Sequence, residues 1–260
     1  MPASTRLLWT GGWDSTYRLL WLLLVEQHSV QPYYIVDRLK YRPAVPAERH
    51  AMRSIRERLE VRHPDAAVRL FDTIECPWDQ IASNAGVTGH FERSLGTGFI
   101  GGQYEWLARF CAQHHIDDME LAIHRDDKAR ELIADLVDES RTRLDPRHAG
   151  DDRYELFRRF RFPLFDKTKL EMRADSRAAC FDEFMAMTWF CHRPIHGEPC
   201  GICNPCIYTV EEGLGDRIPP RGLRRYRYRV IPRLRHALAK NTGVYMAARS
   251  LYRRLRRSGE

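Results

Sequence analysis

The sequence predicts an α/β fold, a parallel sheet with helices on both faces. Short apolar runs alternate with amphipathic stretches from Arg6 to Val137, and the first run opens straight into glycines. The composition is that of a globular domain: of 260 residues 43% are hydrophobic and 30% charged, with 16 Gly and 14 Pro, which excludes collagen, coiled coil and a wholly disordered chain. A chain of this size buries enough surface to hold a core without disulfides. Its 7 cysteines therefore need another explanation.

Arg6 to Thr10 reads as a first strand. Asp14 to Gln27 reads as a buried helix carrying Leu19, Leu20, Leu22, Leu23 and Leu24. Gln31-Pro32 breaks that helix, Tyr33 to Asp37 forms a second strand, and Ala47 to Leu59 forms a charged amphipathic helix. Ala67 to Phe71 is a third strand, Phe99 to His114 a helix, Met119 to His124 a fourth strand and Asp127 to Val137 a further helix. In such sheets ligands bind beyond the carboxyl ends of the strands, where the glycine loop, Asp37 and His124 to Asp127 emerge.

The longest apolar run, Leu19 to Val25, is too short to cross a bilayer, which takes about 20 residues. No transmembrane segment is expected. The N-terminus has the look of a signal peptide, but Asp14 and Arg18 break its apolar region and no small-residue cleavage site follows. A cytoplasmic protein is expected, in which thiols stay reduced and clustered cysteines suggest metal.

The formal charge of +7 is unevenly spread. Arg217 to Glu260 holds 14 of the 42 basic residues and one of the 35 acidic ones, so a mildly acidic body precedes a basic tail. Gly213, Gly215, Pro219, Pro220 and Gly222 mark the boundary. From Ile231 onward Leu234, Leu238, Val244, Ala248, Leu251, Tyr252 and Leu255 recur at helical spacing among arginines. Such a helix suits nucleic-acid phosphates, an acidic partner, an anionic membrane surface, or packing on the body or a second subunit.

Thr10-Gly11-Gly12-Trp13-Asp14-Ser15-Thr16 lies between strand and helix, where free backbone N–H groups and the positive helix end favour phosphate. The hydroxyls of Thr10, Ser15 and Thr16 are donors, and Asp14 either caps the helix or helps hold Mg2+. The alternative is a tight turn with a Ser/Thr cap. The string lacks the Gly-Lys-Ser/Thr of a Walker loop and the GxGxxG of a dinucleotide site. It resembles the PP-loop of the ATP pyrophosphatase superfamily, whose members cleave ATP between the α- and β-phosphates to adenylate a substrate oxygen.

Cys191, Cys200, Cys203 and Cys206 are spaced as C-x8-C-x2-C-x2-C, which suits tetrahedral Zn2+. Four thiolates leave no open coordination position, so the metal is expected to be structural, clamping the segment after Trp189 onto the body; the alternatives are unpaired structural cysteines, redox thiols or an iron–sulfur cluster. Cys76, Cys111 and Cys180 are expected to be buried small residues without catalytic roles.

PP-loop and cysteine cluster together resemble the 7-cyano-7-deazaguanine synthases. Phe162 to Met172 (FPLFDKTKLEM), Thr188 to Cys191 (TWFC) and Pro199 to Cys206 (PCGICNPC) resemble further strings of that family, over about residues 5 to 212. The resemblance implies a Rossmann-like, adenine nucleotide α-hydrolase-like domain over 1–215 with its zinc segment at 188–212, a basic helical extension over 216–260, and a homodimer. It implies ATP phosphates on Gly11 to Ser15, adenine near Ile35 to Asp37, bridging magnesium, and Lys169 neutralising the departing pyrophosphate, with Lys167 a second candidate. The plain alternative for either lysine is a solvated residue on a first helical turn. The implied activity is an ATP-dependent C–N ligase in which a deazaguanine-type carboxylate is adenylated and ammonia displaces AMP, giving an amide, with a second adenylation, on the amide oxygen, eliminating to the nitrile. Asp14, Ser15, Lys169 and Asp127 are the candidates for the reacting centre.

The sequence departs from that pattern where the substrate binds. His124 stands where the family has asparagine, Lys128-Ala129-Arg130 replaces its substrate loop, Gly102-Gln103 replaces an arginine-asparagine pair, and the loop from Asp37 to Glu48 is longer. Gln103, His124, Asp126 and Asp127 are the substrate candidates, although His124 also suits a structural role and the two aspartates also suit helix capping. Other expectations are transfer of the activated group to an amine of a protein or nucleic acid, a tRNA-modifying PP-loop enzyme, and a non-catalytic nucleotide-binding module.

Overall fold

Thr5–Leu8 forms β1 at the middle of a sheet because its side chains are buried on both sides: Leu7 enters one apolar layer and Leu8 the other. A computed structural model describes residues 4–36, 43–96 and 101–228. β2 (Val30–Val36), β3 (Ile74–Pro77), β4 (Met119–Glu120) and β5 (Phe160–Arg161) complete a five-stranded sheet in the order β3-β2-β1-β4-β5, every pair parallel. The chain is therefore of the α/β class, as expected. The order reverses between β1 and β4, which opens a crevice at their carboxyl ends.

α1 (Trp13–Leu20) runs on through a π-helical turn at Trp21–Val25, and α2 (Val45–Arg62) follows β2. Their apolar faces pack with Leu7, Tyr34 and Val36 in the first layer. α3 is the short Pro64–Ala67 helix, and α4 (Ala85–Ser94) starts at Asn84, whose side chain accepts from the Val87 N–H at 3.1 Å. α5 (Gln103–Gln113), α6 (Lys128–Ile133) and α7 (Asp152–Phe157) cover the opposite face with Leu8, Ile35 and Met119. α8 (Lys169–Ala178) opens with a capping box between Thr168 and Glu171. α9 (Asp182–Ala186), α10 (Asn204–Glu211) and α11 (Pro220–Arg227) follow.

Three sequence expectations are corrected. Ala67–Phe71 is not the third strand: Pro64 starts α3 there, Val68 and Phe71 are exposed, and only an isolated bridge joins Leu70 to Val30. The strand is Ile74–Pro77, at the sheet edge. The fourth strand stops at Glu120, because the Ile123 N–H turns back onto the Leu121 carbonyl at 2.8 Å. Cys180 is exposed and Cys76 half-buried; of the three isolated cysteines only Cys111 is buried. Among the described residues no helix is long and apolar enough to cross a membrane. Asp37 and the tail from residue 229 lie outside the described residues, as does part of the loop after β2.

Candidate functional site

The glycine loop is bedded on α2. Gly11 has φ +69°, and a Cβ there would lie 3.0 Å from the Glu48 carbonyl oxygen, so the position admits only glycine comfortably. Gly12 is the N-cap of α1 and offers no side chain, so the first turn of the helix keeps free N–H groups. Asp14 sits inside that turn rather than capping it. The Thr10 N–H donates to Ser15 Oγ at 3.4 Å, and the Gly12 N–H donates to Thr10 Oγ1 at 3.4 Å. Thr16 is fully buried and accepts from Trp9 Nε1 at 3.0 Å, so it supports the loop from beneath.

A cavity of about 540 Å³ opens over this loop at the carboxyl ends of β1 and β4. Thr10, Gly12, Asp14, Gln103, His124, Asp126, Asp127 and Lys169 all line it. A second cavity of about 180 Å³ shares Thr10, Gly12, Asp14, Gln103 and Asp127 with it, adds Ser15, and is walled by Tyr33, Ile35, Trp106, Leu107 and Ile123. The site is thus one polar chamber with an apolar side pocket. Lys167 is not brought to either cavity: it pairs with Asp175 and lies 5.7 Å and 5.8 Å above the rings of Tyr17 and Trp21.

The charges interlock. Lys169 Nζ lies 2.6 Å from Glu212 Oε2 and 3.6 Å from Asp14 Oδ2. Burial pulls its ammonium down, but the carboxylates of Asp14, Glu212 and Asp127 outweigh that and hold it above the ordinary lysine value. Burial likewise raises Glu212 and Asp127 despite nearby cations. Asp127 caps α6 through the Ala129 N–H at 2.9 Å. His124 is buried, and the Asp126 N–H donates to its Nδ1 at 3.2 Å, so in the neutral ring the proton sits on Nε2. That nitrogen is 3.9 Å from Asp14 Oδ1, a buried oxygen that accepts no hydrogen bond among the described residues.

Half of the chamber comes from the segment after α9. The Trp189 N–H donates to the Gly11 carbonyl at 2.9 Å, bringing Trp189, Phe190, Asn204, Tyr208, Glu212 and Arg217 against the glycine loop. Glu212 and Arg217 went unnoticed in the sequence, where one is an unremarkable acid and the other merely starts the basic tail. Residues 216–228 do not stand apart: Arg217 Nη2 donates to the Thr188 carbonyl at 2.7 Å, and Arg225 Nε donates to the Cys200 carbonyl at 2.8 Å.

Cys191, Cys200, Cys203 and Cys206 hold their sulphurs within 4.8 Å of one another. Zn–S bonds of about 2.3 Å in a tetrahedron require S···S edges of roughly 3.8 Å. The Cys191–Cys203 and Cys200–Cys206 distances are 3.9 Å and 3.8 Å. Backbone N–H groups of Cys200, Ile202 and Cys203 donate to sulphurs at 3.2–3.4 Å, which favours thiolates. The set can hold a metal ion such as zinc. Gly201, at φ +75°, permits the tight turn between two of the ligands, and a Cβ there would overlap the Gly222 carbonyl oxygen. No protein-family model and no curated protein matches the chain.

Proposed function

We propose that this chain is an ATP-dependent adenylating enzyme of the PP-loop type, with a Rossmann-like domain and a structural zinc. In this reading it cleaves ATP to AMP and pyrophosphate while converting a planar 7-deazaguanine-type carboxylate to an amide or nitrile. The observation that carries the reading is the uncapped start of α1 beside Asp14 and Lys169, at the point where the strand order reverses. The apolar side pocket suits an adenine ring, and the polar chamber suits the phosphates and the acceptor.

The residues divide the work. The N–H groups of α1 and the hydroxyls of Thr10 and Ser15 bind phosphate oxygens, and Asp14 Oδ1, buried without a donor, is available to Mg2+. Lys169, fixed between Asp14 and Glu212, faces the charge that develops on the departing pyrophosphate. A substrate carboxylate oxygen attacks the α-phosphorus and pyrophosphate leaves; ammonia then attacks the acyl carbon, AMP leaves, a proton is released and the product is the amide. The nitrile takes a second ATP, whose α-phosphorus is attacked by the amide oxygen with loss of pyrophosphate before AMP and the amide protons are eliminated. Positioning and charge neutralisation carry the first step, since no protein nucleophile is needed. Gln103, His124 and Asp126 line the wall available to the acceptor.

A second reading sends the activated acyl group to an amine of a protein or nucleic acid. It is favoured by the charge of 217–260, with 14 basic residues against a single acid. The test is pyrophosphate release by zinc-loaded protein with MgATP, comparing 7-carboxy-7-deazaguanine plus ammonium against ATP alone, with mass spectrometry of the base. Substrate-dependent release with an amide or nitrile product is expected. Release without a small-molecule product directs attention to the macromolecular acceptor, and no release from protein that binds ATP overturns both readings.

A further inference from the structure

Among the cations lining the chamber, Lys169 is matched by Glu212 and Asp14, and Lys128 lies 5.9 Å over the Tyr208 ring. Arg217 is different. It makes no ion pair among the described residues, although its side chain is half-buried. Its guanidinium lies 4.7 Å from the Trp13 ring centroid and 4.9 Å from that of Phe190. Nη2 donates to the carbonyl of Thr188 at 2.7 Å and to its hydroxyl at 2.6 Å. Stacking and these two bonds fix the plane of the fork, while Nε and Nη1 make no hydrogen bond among the described residues.

The cost of that arrangement is visible in its acidity. Burial, with Arg173 adding repulsion, outweighs the attraction of Asp14 and Asp216 and brings the guanidinium down to about 10. A half-buried cation without a direct counter-charge is less favourable than a paired one. The Asp216 carboxylate, which might have served, is occupied by Arg173 at 2.7 Å. A ligand that brings its own negative charge removes the penalty, and a rigid, stacked guanidinium fork matches a two-oxygen anion.

We infer that Arg217 is an oxyanion receptor in the larger chamber, gripping a carboxylate or phosphate group through Nε and Nη1. The inference deepens the adenylation reading in that the anion is either the acceptor's carboxylate or the nucleotide's pyrophosphate end. It also places the ligand between Trp13 and the cysteine-bearing segment, so both walls of the chamber hold one molecule.

The test uses the full-length, metal-loaded protein and two probes, inorganic pyrophosphate and 7-carboxy-7-deazaguanine, titrated by calorimetry and by tryptophan fluorescence, since Trp13 reports directly on the stack. In Arg217→Gln the affinity for one probe is expected to fall by about ten-fold or more, as for loss of a charge-assisted pair, with the other within about two-fold. The probe that falls identifies the source of the anion. Arg217→Lys, which keeps the charge but not the fork, is expected to fall between and guards against misfolding, with melting and metal content as controls. Wild-type affinity of both variants for both probes, or no binding of either probe to the wild type, overturns the inference. If binding depends on Arg217 but ATP is not cleaved, the adenylation reading fails and the receptor stands; if cleavage persists with unaltered binding in Arg217→Gln, the reverse holds.

Discussion

The sheet wall of the chamber rests on two extensive apolar layers, whereas the wall formed by residues 188–217 sends only Leu214 into one of them and otherwise packs, with Ile218, around a small cluster centred on Cys191, Cys200 and Cys206. The first wall folds by burying leucines and aromatics. The second has a much smaller apolar cluster, in which Trp189, Phe190, Ile195 and Val210 pack around the cysteines, so its order leans more on the cysteine cluster and on a few polar ties to the first: Trp189 to Gly11, Glu212 to Lys169 and Asp216 to Arg173. The charge pattern of the chamber is a property of the junction, because Lys169 from one wall is matched by Asp14 on its own side and by Glu212 from the other.

The most drastic way to break that contrast is Cys206→Ala. Structural zinc contributes on the order of 10 kcal/mol to the folding of small cysteine modules. The variant is expected to lose its bound metal and amide-exchange protection across 188–217 while β1 and β2 keep theirs. Pyrophosphate release should fall at least about a hundred-fold, because Lys169 loses Glu212. Equal loss of protection in both walls would show that they are one cooperative unit after all.

Lys169→Met sharpens the contrast at the junction itself. The side chain is only 13% exposed, and its removal leaves Asp14 and Glu212 facing each other without a cation. A stability loss of about 3–5 kcal/mol is expected in thermal melts, with a fall of about 10²–10³ in pyrophosphate release. Adding Glu212→Gln should recover part of the stability and none of the activity. Full recovery of activity would remove Lys169 from the reacting centre.

The smallest effect belongs to the sheet wall alone. Asp166 is held down to about 2 by the Arg141 guanidinium, with burial opposing and Arg130 assisting at 3.0 Å. A depressed carboxyl contributes stability above its unfolded value of about 4, and that contribution is lost as pH falls through the folded value. The melting difference between wild type and Asp166→Asn should therefore be present at neutral pH and vanish towards pH 2. Because the pair is well exposed, no more than about 1 kcal/mol is at stake, and metal content should not change.

Much of this was legible in the sequence because it is local. β1 is an apolar run, the glycines follow it directly, and the cysteine spacing needs no tertiary context. The third strand was misplaced because the apolar Ala67–Phe71 looks more like a strand than Ile74–Pro77, an edge strand whose Ile74 and Glu75 face solvent. Two-residue strands such as β5 carry no period at all. Lys169 was found through its neighbours in sequence, whereas Glu212 and Arg217 acquire meaning only when α10 and the turn after it dock on α1. One arginine among 14 basic residues looks like solvated charge until it is seen stacked on Trp13.

The hydrogen bond from Trp189 to Gly11 also sets a timetable. Its two partners come from distant parts of the chain, so closing it costs loop entropy that local helix formation does not. During synthesis the glycine loop can settle on α2 early, but its far side stays bare until residues 188–217 have been made and folded. The chamber is consequently among the last features of the molecule to form, and a nascent chain carries a finished sheet with one wall of the chamber missing.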